Sequence, residues 1–451
     1  MKKSNYFYIT GIIIFSIIFS ILLIKENSKT ENINQLNVKV INSGENKLTV
    51  QDNEKIIYTF SVGNNNFKVG DYLIIEYTGL LDKNKEYQNN TLINITPVSQ
   101  DEENIIDSTN NIFNQFSILA SDKVNEMTLQ EKIGQILLVG YEEGSKIEAI
   151  EKYKVGGFIF FEENFKDKTK DQIKEMINNL QSKTKIPLLT AVDEEGGEVV
   201  RISSNKNIIA EKFKSPRELY QEGGFNLIKE DVKNKSQLLG ELGINVNLAP
   251  VVDVSTNSND YIYNRTLGEN TNIVSQYAKE VIEANKGSNV SLVLKHFPGY
   301  GNNEDSHNKK VIDNRDYSQI KAIDIPPFQS GIESGAEAIL VNHNIIKSID
   351  DSNPASLSAS VHNILRNDLK FTGVIMTDDL SMGAISSIEN PVTKAILAGN
   401  DIIITTNYKE SYNEIEEAVK NNKIDESLID SMVHKIISWK YYKGIMYQKT
   451  K

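Results

Sequence analysis

A chain of 451 residues has room for about two to three domains, and 39% hydrophobic with 24% charged residues is enough apolar matter for a sizeable core. A formal net charge of −12 argues against nonspecific attraction to nucleic acid or to an anionic membrane surface. The chain has no cysteine, which removes disulfides, thiolate metal sites, cysteine nucleophiles and a lipidated cysteine anchor.

Lys2 and Lys3 precede an uncharged apolar run, Tyr6 to Ile24. At about 1.5 Å per residue that run is long enough to cross about 30 Å of hydrocarbon as a helix. No small-residue cleavage pattern follows it. Residues 1–28 therefore read as an uncleaved transmembrane anchor. With the lysines inside, the chain is expected at the cell membrane, single-pass, with its catalytic domain extracellular.

Residues 29–98 alternate apolar and polar positions, with turn signals at "NSGEN", "DNE" and "GNNN". This pattern predicts a small β-rich domain of short antiparallel strands, a spacer or docking module without clustered catalytic groups. Residues 99–120, beginning "SQDEENIIDSTNN", read as a linker.

From residue 121 to 451 the pattern changes to apolar runs of strand length alternating with helical spacing. The runs are "GQILLVG", "GGFIFF", "IPLLTAV", "INVNLAPVVDV", "SLVLKHF", "AEAILVNH", "GVIMTDD" and "NDIIITT". They are nearly continuously apolar, as strands covered on both faces should be. "KDQIKEMINNLQSKT" and "IVSQYAKEVIEANKG" carry the helical period. Eight such repeats predict an α/β fold, a (β/α)8 TIM barrel preceded by the transmembrane helix and the small β domain. A doubly wound open sheet is the alternative, but no glycine-rich phosphate loop follows the first strand.

In a (β/α)8 barrel the chemistry sits where the strands end at their C-terminal side. There the sequence places Asp193, Glu194, Glu195, Glu198 and Arg201 after the third run. Asp253 and Arg265 follow the fourth, Lys295 and His296 the fifth, Asn342 and His343 the sixth, and Asp378 with Asp379 the seventh. Metal chemistry would need three or four ligands, which His296, His307, His343 and an aspartate could supply. The His-x-His pair expected at a first strand is missing. A serine nucleophile lacks its G-x-S-x-G elbow. Carboxylate chemistry fits better: Asp378 at a strand end, an acid/base group from a loop, and neighbours able to bind hydroxyls. That is the layout for glycoside hydrolysis through a covalent intermediate, with no cofactor.

The loop "PGYGNNEDSH" reads as a flexible stretch, Gly299 and Gly301 with two asparagines, leading to Asp305 and His307. In an extended segment residues i and i+2 point the same way, so Asp305 can accept a hydrogen bond from His307 and leave its other nitrogen to exchange a proton. The competing reading is that Asp305 caps a turn and His307 is solvated.

The pieces "MTLQEKIGQILLVG", "DEEGGEVVR", "LAPVVDV", "NRTLG", "KHFPGYG" with "DSH", "NPASLS" and "MTDDLSMGAI" occur in order between Met127 and Tyr441. In them the chain resembles the family 3 glycoside hydrolases, specifically the bacterial β-N-acetylglucosaminidases of the NagZ type. The resemblance implies a (β/α)8 barrel, Asp378 as nucleophile, and His307 as acid/base oriented by Asp305 on a mobile loop. It implies Asp193, Arg201, Arg265, Lys295 and His296 as sugar-binding residues, with no metal. The substrate class it implies is terminal β-linked GlcNAc on peptidoglycan fragments or chito-oligosaccharides. The expected partners are that substrate and the membrane, not nucleic acid, with the chain a monomer.

Three departures stand out. Where the family reads "DQEGGRV", Glu194 and Glu198 replace Gln and Arg. The added negative charge could favour a cationic sugar such as glucosamine. Where the family reads "KHFPGHG", Tyr300 stands in place of His. After "HKIISWKYYKG" no second C-terminal domain is expected, which disfavours the two-domain β-glucosidase branch. Two other functions stay open at this level: a β-N-acetylglucosaminide phosphorylase, in which a His acid/base lets phosphate approach, and a catalytically weak cell-wall-binding protein.

Overall fold

The computed structural model describes residues 33–44, 46–51, 57–62, 67–69, 72–78, 81, 92–97, 112–306 and 309–447. The expected membrane anchor, residues 1–28, lies outside the described residues. Among the described residues no helix is long and apolar enough to cross a membrane. The chain divides into two compact units, Met1–Asn104 and Ile105–Lys451.

The first unit holds five antiparallel strands: β1 (Ile33–Gly44), β2 (Lys47–Gln51), β3 (Ile57–Ser61), β4 (Tyr72–Thr78) and β5 (Leu92–Pro97). Their order across the sheet is β3-β2-β1-β4-β5. The period-2 alternation turns Val38, Val40, Leu48, Val50, Phe60, Leu73 and Ile75 to one buried side, while Lys47, Thr49 and Gln51 on β2 are less covered.

The second unit is built on eight parallel strands. These are β6 (Leu137–Gly140), β7 (Gly157–Phe160), β8 (Leu189–Val192), β9 (Val246–Asn247), β10 (Ser291–Phe297), β12 (Ala338–Val341), β14 (Val374–Thr377) and β15 (Ile403–Thr405). A separate pair, β11 (Ile312–Asp313) and β13 (Ile345–Ile346), lies outside the ring. The hydrogen-bonded order is β14-β12-β10-β9-β8-β7-β6-β15, and a parallel bridge from Met376 to Ile402 joins its two ends. One strand falls in each of the eight apolar runs, giving a (β/α)8 barrel. Every residue of β7, β8, β10, β12 and β14 is buried, because side chains fill the barrel on one face and helices cover the other.

The helices start where the sequence supplies acceptors for their first N–H groups. Thr128 with Glu131, Thr169 with Gln172, and Ser215 with Glu218 each form a reciprocal capping box. One helix was not read from the sequence. Ser117–Asn125 starts inside the stretch taken as linker, just after a 3-10 turn at Asn114–Phe116. Phe113 packs on Tyr442 and Phe116 on Tyr441, both at the end of the last helix, Glu426–Tyr442. A charged neighbourhood hid the apolar spacing, and the surface that covers it lies more than 300 residues away.

That last helix also buries Lys440 completely. Its ammonium donates to the Gln135 side chain at 2.7 Å and to the carbonyls of Gly156 at 3.0 Å and Pro187 at 2.7 Å, just before β6, β7 and β8. None of these acceptors is a carboxylate, so burial alone pushes Lys440 down from its ordinary 10.5 to about 7. Between those two values the unfolded chain keeps a proton that the folded chain has lost, so stability rises with pH across the window and is lowest below it. Thermal unfolding between pH 7 and 9 is expected to show this rise, up to about 1.4 kcal/mol per pH unit. Lys440→Met should lose that component, whatever its offset in stability. Equal slopes in the two proteins would refute the assignment.

Candidate active site

The C-terminal end of β8 is followed by Asp193, Glu194 and Glu195. In an extended stretch the first and third of these point the same way. Both meet Lys295 of β10, whose side chain is carried into the barrel end at 2% exposure. Its Nζ lies 2.6 Å from Asp193 Oδ1 and 2.6 Å from Glu195 Oε1. Arg265, from the 3-10 turn Tyr263–Arg265, closes on the same carboxylate as a fork, Nε to Glu195 Oε2 at 3.0 Å and Nη2 to Oε1 at 2.7 Å. Burial would push Glu195 up, but the Arg265 and Lys295 charges outweigh it and hold the group well below the usual carboxylate range. Burial likewise opposes the charge on Lys295, and Asp193 and Glu195 raise its pKa above the ordinary value. Two cations and two anions thus neutralise one another. Glu195, named among the strand-end groups but not among the candidate site residues, is the hub of this network. Its signal was its position two residues from Asp193.

His296 stands beside this network. Its Nδ1 lies 2.7 Å from Asp253 Oδ2, and its Nε2 lies 3.2 Å from Arg265 Nη2. A guanidinium can only donate, so Nε2 accepts and Nδ1 carries the proton that Asp253 receives. Asp253 is wholly buried and also accepts the backbone N–H of His296 at 3.1 Å and of Tyr300 at 2.6 Å. His343, in contrast, has both ring nitrogens engaged, Nδ1 with the Ser356 hydroxyl at 2.7 Å and Nε2 with the Asp379 carbonyl at 3.0 Å.

The two added glutamates of the third-strand loop face different ways. Glu194 is fully buried and turned into its own loop. Its carboxylate accepts the N–H groups of Arg201 at 2.8 Å, Ile202 at 2.7 Å and Ser203 at 3.2 Å, together with the Ser203 hydroxyl. It holds the loop's shape, so one of the two charges behind a glucosamine preference does not face a substrate. Glu198 is exposed and accepts from Asn264 Nδ2 at 3.0 Å. Arg201, expected with the sugar-binding residues, is on this loop but outside the ion network. Its Nη1 donates to the Val200 carbonyl at 3.3 Å, and its Nε is buried without a partner among the described residues.

Asp378 follows β14 directly. Its N–H donates to the Val341 carbonyl at 2.9 Å, and its Oδ1 accepts the Asp379 N–H at 2.9 Å. Across the barrel mouth the loop after β10 brings in Asp305, partly exposed, and Ser306, buried. Tyr261 lies against both Asp305 and Arg265; burial, chiefly, raises its pKa. His307 lies outside the described residues. The glycines of this loop, read from the sequence as a flexible stretch, are packed closely against neighbouring side chains. Gly299 and Gly301 take φ of 129° and 60°, and a Cβ at either would collide with a neighbouring side chain, Asp324 for Gly299 and Arg315 for Gly301. Those two side chains form an ion pair at 2.7 Å, with burial pushing Asp324 up to about 7 although Arg315 opposes it. Glycine suits both positions because the backbone passes so close to the Arg315–Asp324 pair.

The family described as "Glycosyl hydrolase family 3 N terminal domain" matches residues 128–439. Beta-hexosaminidase A of Pseudoalteromonas piscicida is 30% identical over 326 residues, covering 65% of this chain and 54% of that protein. Thus the chain spans about half the length of that relative. Beta-hexosaminidase LpqI of Mycobacterium tuberculosis is 28% identical, covering 69% of this chain and 82% of that one. Among solved structures, a glycoside hydrolase family 3 β-N-acetylglucosaminidase from Paenibacillus superposes with a TM-score of 0.67. It is 27% identical and covers 71% of this chain and 63% of its own.

Glu194→Ala would leave three backbone N–H groups without their acceptor. It is expected to cost about 2–4 kcal/mol in urea unfolding. A loss under about 1 kcal/mol would show that the loop holds its shape without that carboxylate.

Proposed function

The chain belongs to glycosyl hydrolase family 3, and on that premise we propose that it is a retaining exo-β-N-acetylglucosaminidase. Asp378 is the nucleophile and His307 the acid/base, oriented by Asp305. Asp193, Arg201, Arg265, Lys295 and His296 hold the terminal sugar. The observation that carries this reading is the convergence at one barrel end of the Asp378 carboxylate, the Asp305 loop and the neutral Asp193–Lys295–Glu195–Arg265 network. The names of the relatives, β-hexosaminidases and a β-N-acetylglucosaminidase, support the same sugar.

The chemistry follows from those placements. Asp378 attacks the anomeric carbon as the glycosidic bond breaks, and the protonated His307 imidazole gives its proton to the departing oxygen. The neutral imidazole then takes a proton from water, which displaces Asp378 and releases the sugar with retained configuration. Lys295 and Arg265 hold Glu195 ionised, and Lys295 fixes Asp193 beside it, so the sugar's hydroxyls meet an acceptor already set in place. Residues 1–28 are proposed to anchor the barrel outside the cell. Its substrates there are peptidoglycan-derived or chito-oligosaccharides ending in β-linked GlcNAc.

The test is hydrolysis of 4-nitrophenyl β-GlcNAc with and without phosphate. Asp378→Asn is expected to lower kcat by about 10⁴-fold. His307→Ala should lose about 10²–10⁴-fold on poor leaving groups and much less on activated ones. Near-native activity in Asp378→Asn would remove the nucleophile assignment. Phosphate-dependent turnover to a sugar phosphate would replace the hydrolase by a phosphorylase. Faster turnover of the β-GlcN glycoside than of β-GlcNAc would change the sugar.

A further inference from the structure

Ser306 is 0% exposed, so its N–H and its hydroxyl both need partners within the protein. Both find the same one. The Tyr300 hydroxyl accepts the Ser306 N–H at 2.9 Å and pairs with the Ser306 hydroxyl at 2.8 Å. Burial raises the Tyr300 pKa; the two Ser306 hydrogen bonds oppose the rise without cancelling it, and the Asp378 charge adds to it, so the phenol stays protonated and can accept one bond while donating another. The rest of Tyr300 is as firmly held. Its ring is 1% exposed, meeting His296 edge-on at 5.5 Å and Tyr261 at 5.6 Å. Its N–H is bonded to Asp253, the carboxylate that also orients His296, and its carbonyl accepts from Asn303 Nδ2 at 2.8 Å.

We propose that Tyr300 is a positioning residue for the proton-transfer step. By gripping Ser306 at two atoms it fixes the chain directly after Asp305, the residue read as orienting the acid/base. The proposal rests on the reading of Asp305 and His307 as the acid/base pair. Tyr300 joins the two halves of the site through Asp253, since one buried carboxylate fixes both the His296 ring and the start of the loop.

The test compares kcat/KM, which reports formation of the glycosyl-enzyme, on N,N′-diacetylchitobiose and on 2,4-dinitrophenyl β-GlcNAc. The second leaving group departs without a proton. Tyr300→Phe keeps the ring and removes the grip. It is expected to lose about tenfold or more on the disaccharide and less than about threefold on the dinitrophenyl glycoside. Azide should restore turnover of the dinitrophenyl glycoside by replacing water as acceptor. Ser306→Ala, which keeps the N–H bond, should show the same selectivity with a smaller loss, and it reads the same contact if Tyr300→Phe fails to fold. An equal loss on both substrates, or none, would overturn the proposal. His307→Ala separates the two levels: if it is leaving-group selective and Tyr300→Phe is not, only the positioning role falls. If His307→Ala shows no selectivity, the acid/base reading falls and the positioning role falls with it.

Discussion

A lysine carried inside a barrel strand at 2% exposure must be neutralised where it stands, because an unpaired buried ammonium would lose its charge. Much of this site follows from that condition on Lys295. Two carboxylates reach it, because the extended run after β8 brings Asp193 and Glu195 to the same side. Glu195 also meets the Arg265 fork, and the two cations together hold that carboxylate ionised against its burial. Arg265 then has one nitrogen within reach of His296, which passes the constraint to Asp253 and the loop beyond. Such a network adds little net stability, since desolvation offsets much of its attraction. What it supplies is geometry: each member's position is set by another member.

The loop after β10 obeys a second condition of the same type. Its first residues run over the Arg315–Asp324 pair so closely that a Cβ at 299 or 301 would collide with one of its side chains. Its far end is tied down at Ser306 by Tyr300. A stretch whose composition suggests freedom is held at both ends, and Asp305 sits where the second tie begins.

The strand positions were legible in the sequence because each barrel strand is buried on both faces and reads as a short apolar run. For the same reason the groups ending those runs, Asp193, Lys295, His296 and Asp378, could be picked out as candidates without coordinates. Glu195 was not selected because adjacent acids look alike in a sequence, whereas in the fold one faces the barrel mouth and the next, Glu194, faces its own loop. Phe113 and Phe116 were taken for linker because their partner, the last helix, is remote in the chain.

By itself the sequence determined the periodicities, and with them the eightfold repeat, the separate β-rich unit and the end of the barrel where polar groups collect. Those are local properties, set by backbone geometry and by which faces are covered. Only the tertiary structure decided which carboxylate meets which cation. It also decided which side chains press on the glycines of the loop, and that Tyr300 ties down Ser306. Ion pairing and close packing depend on distances between segments far apart in the chain, and no local pattern carries those distances.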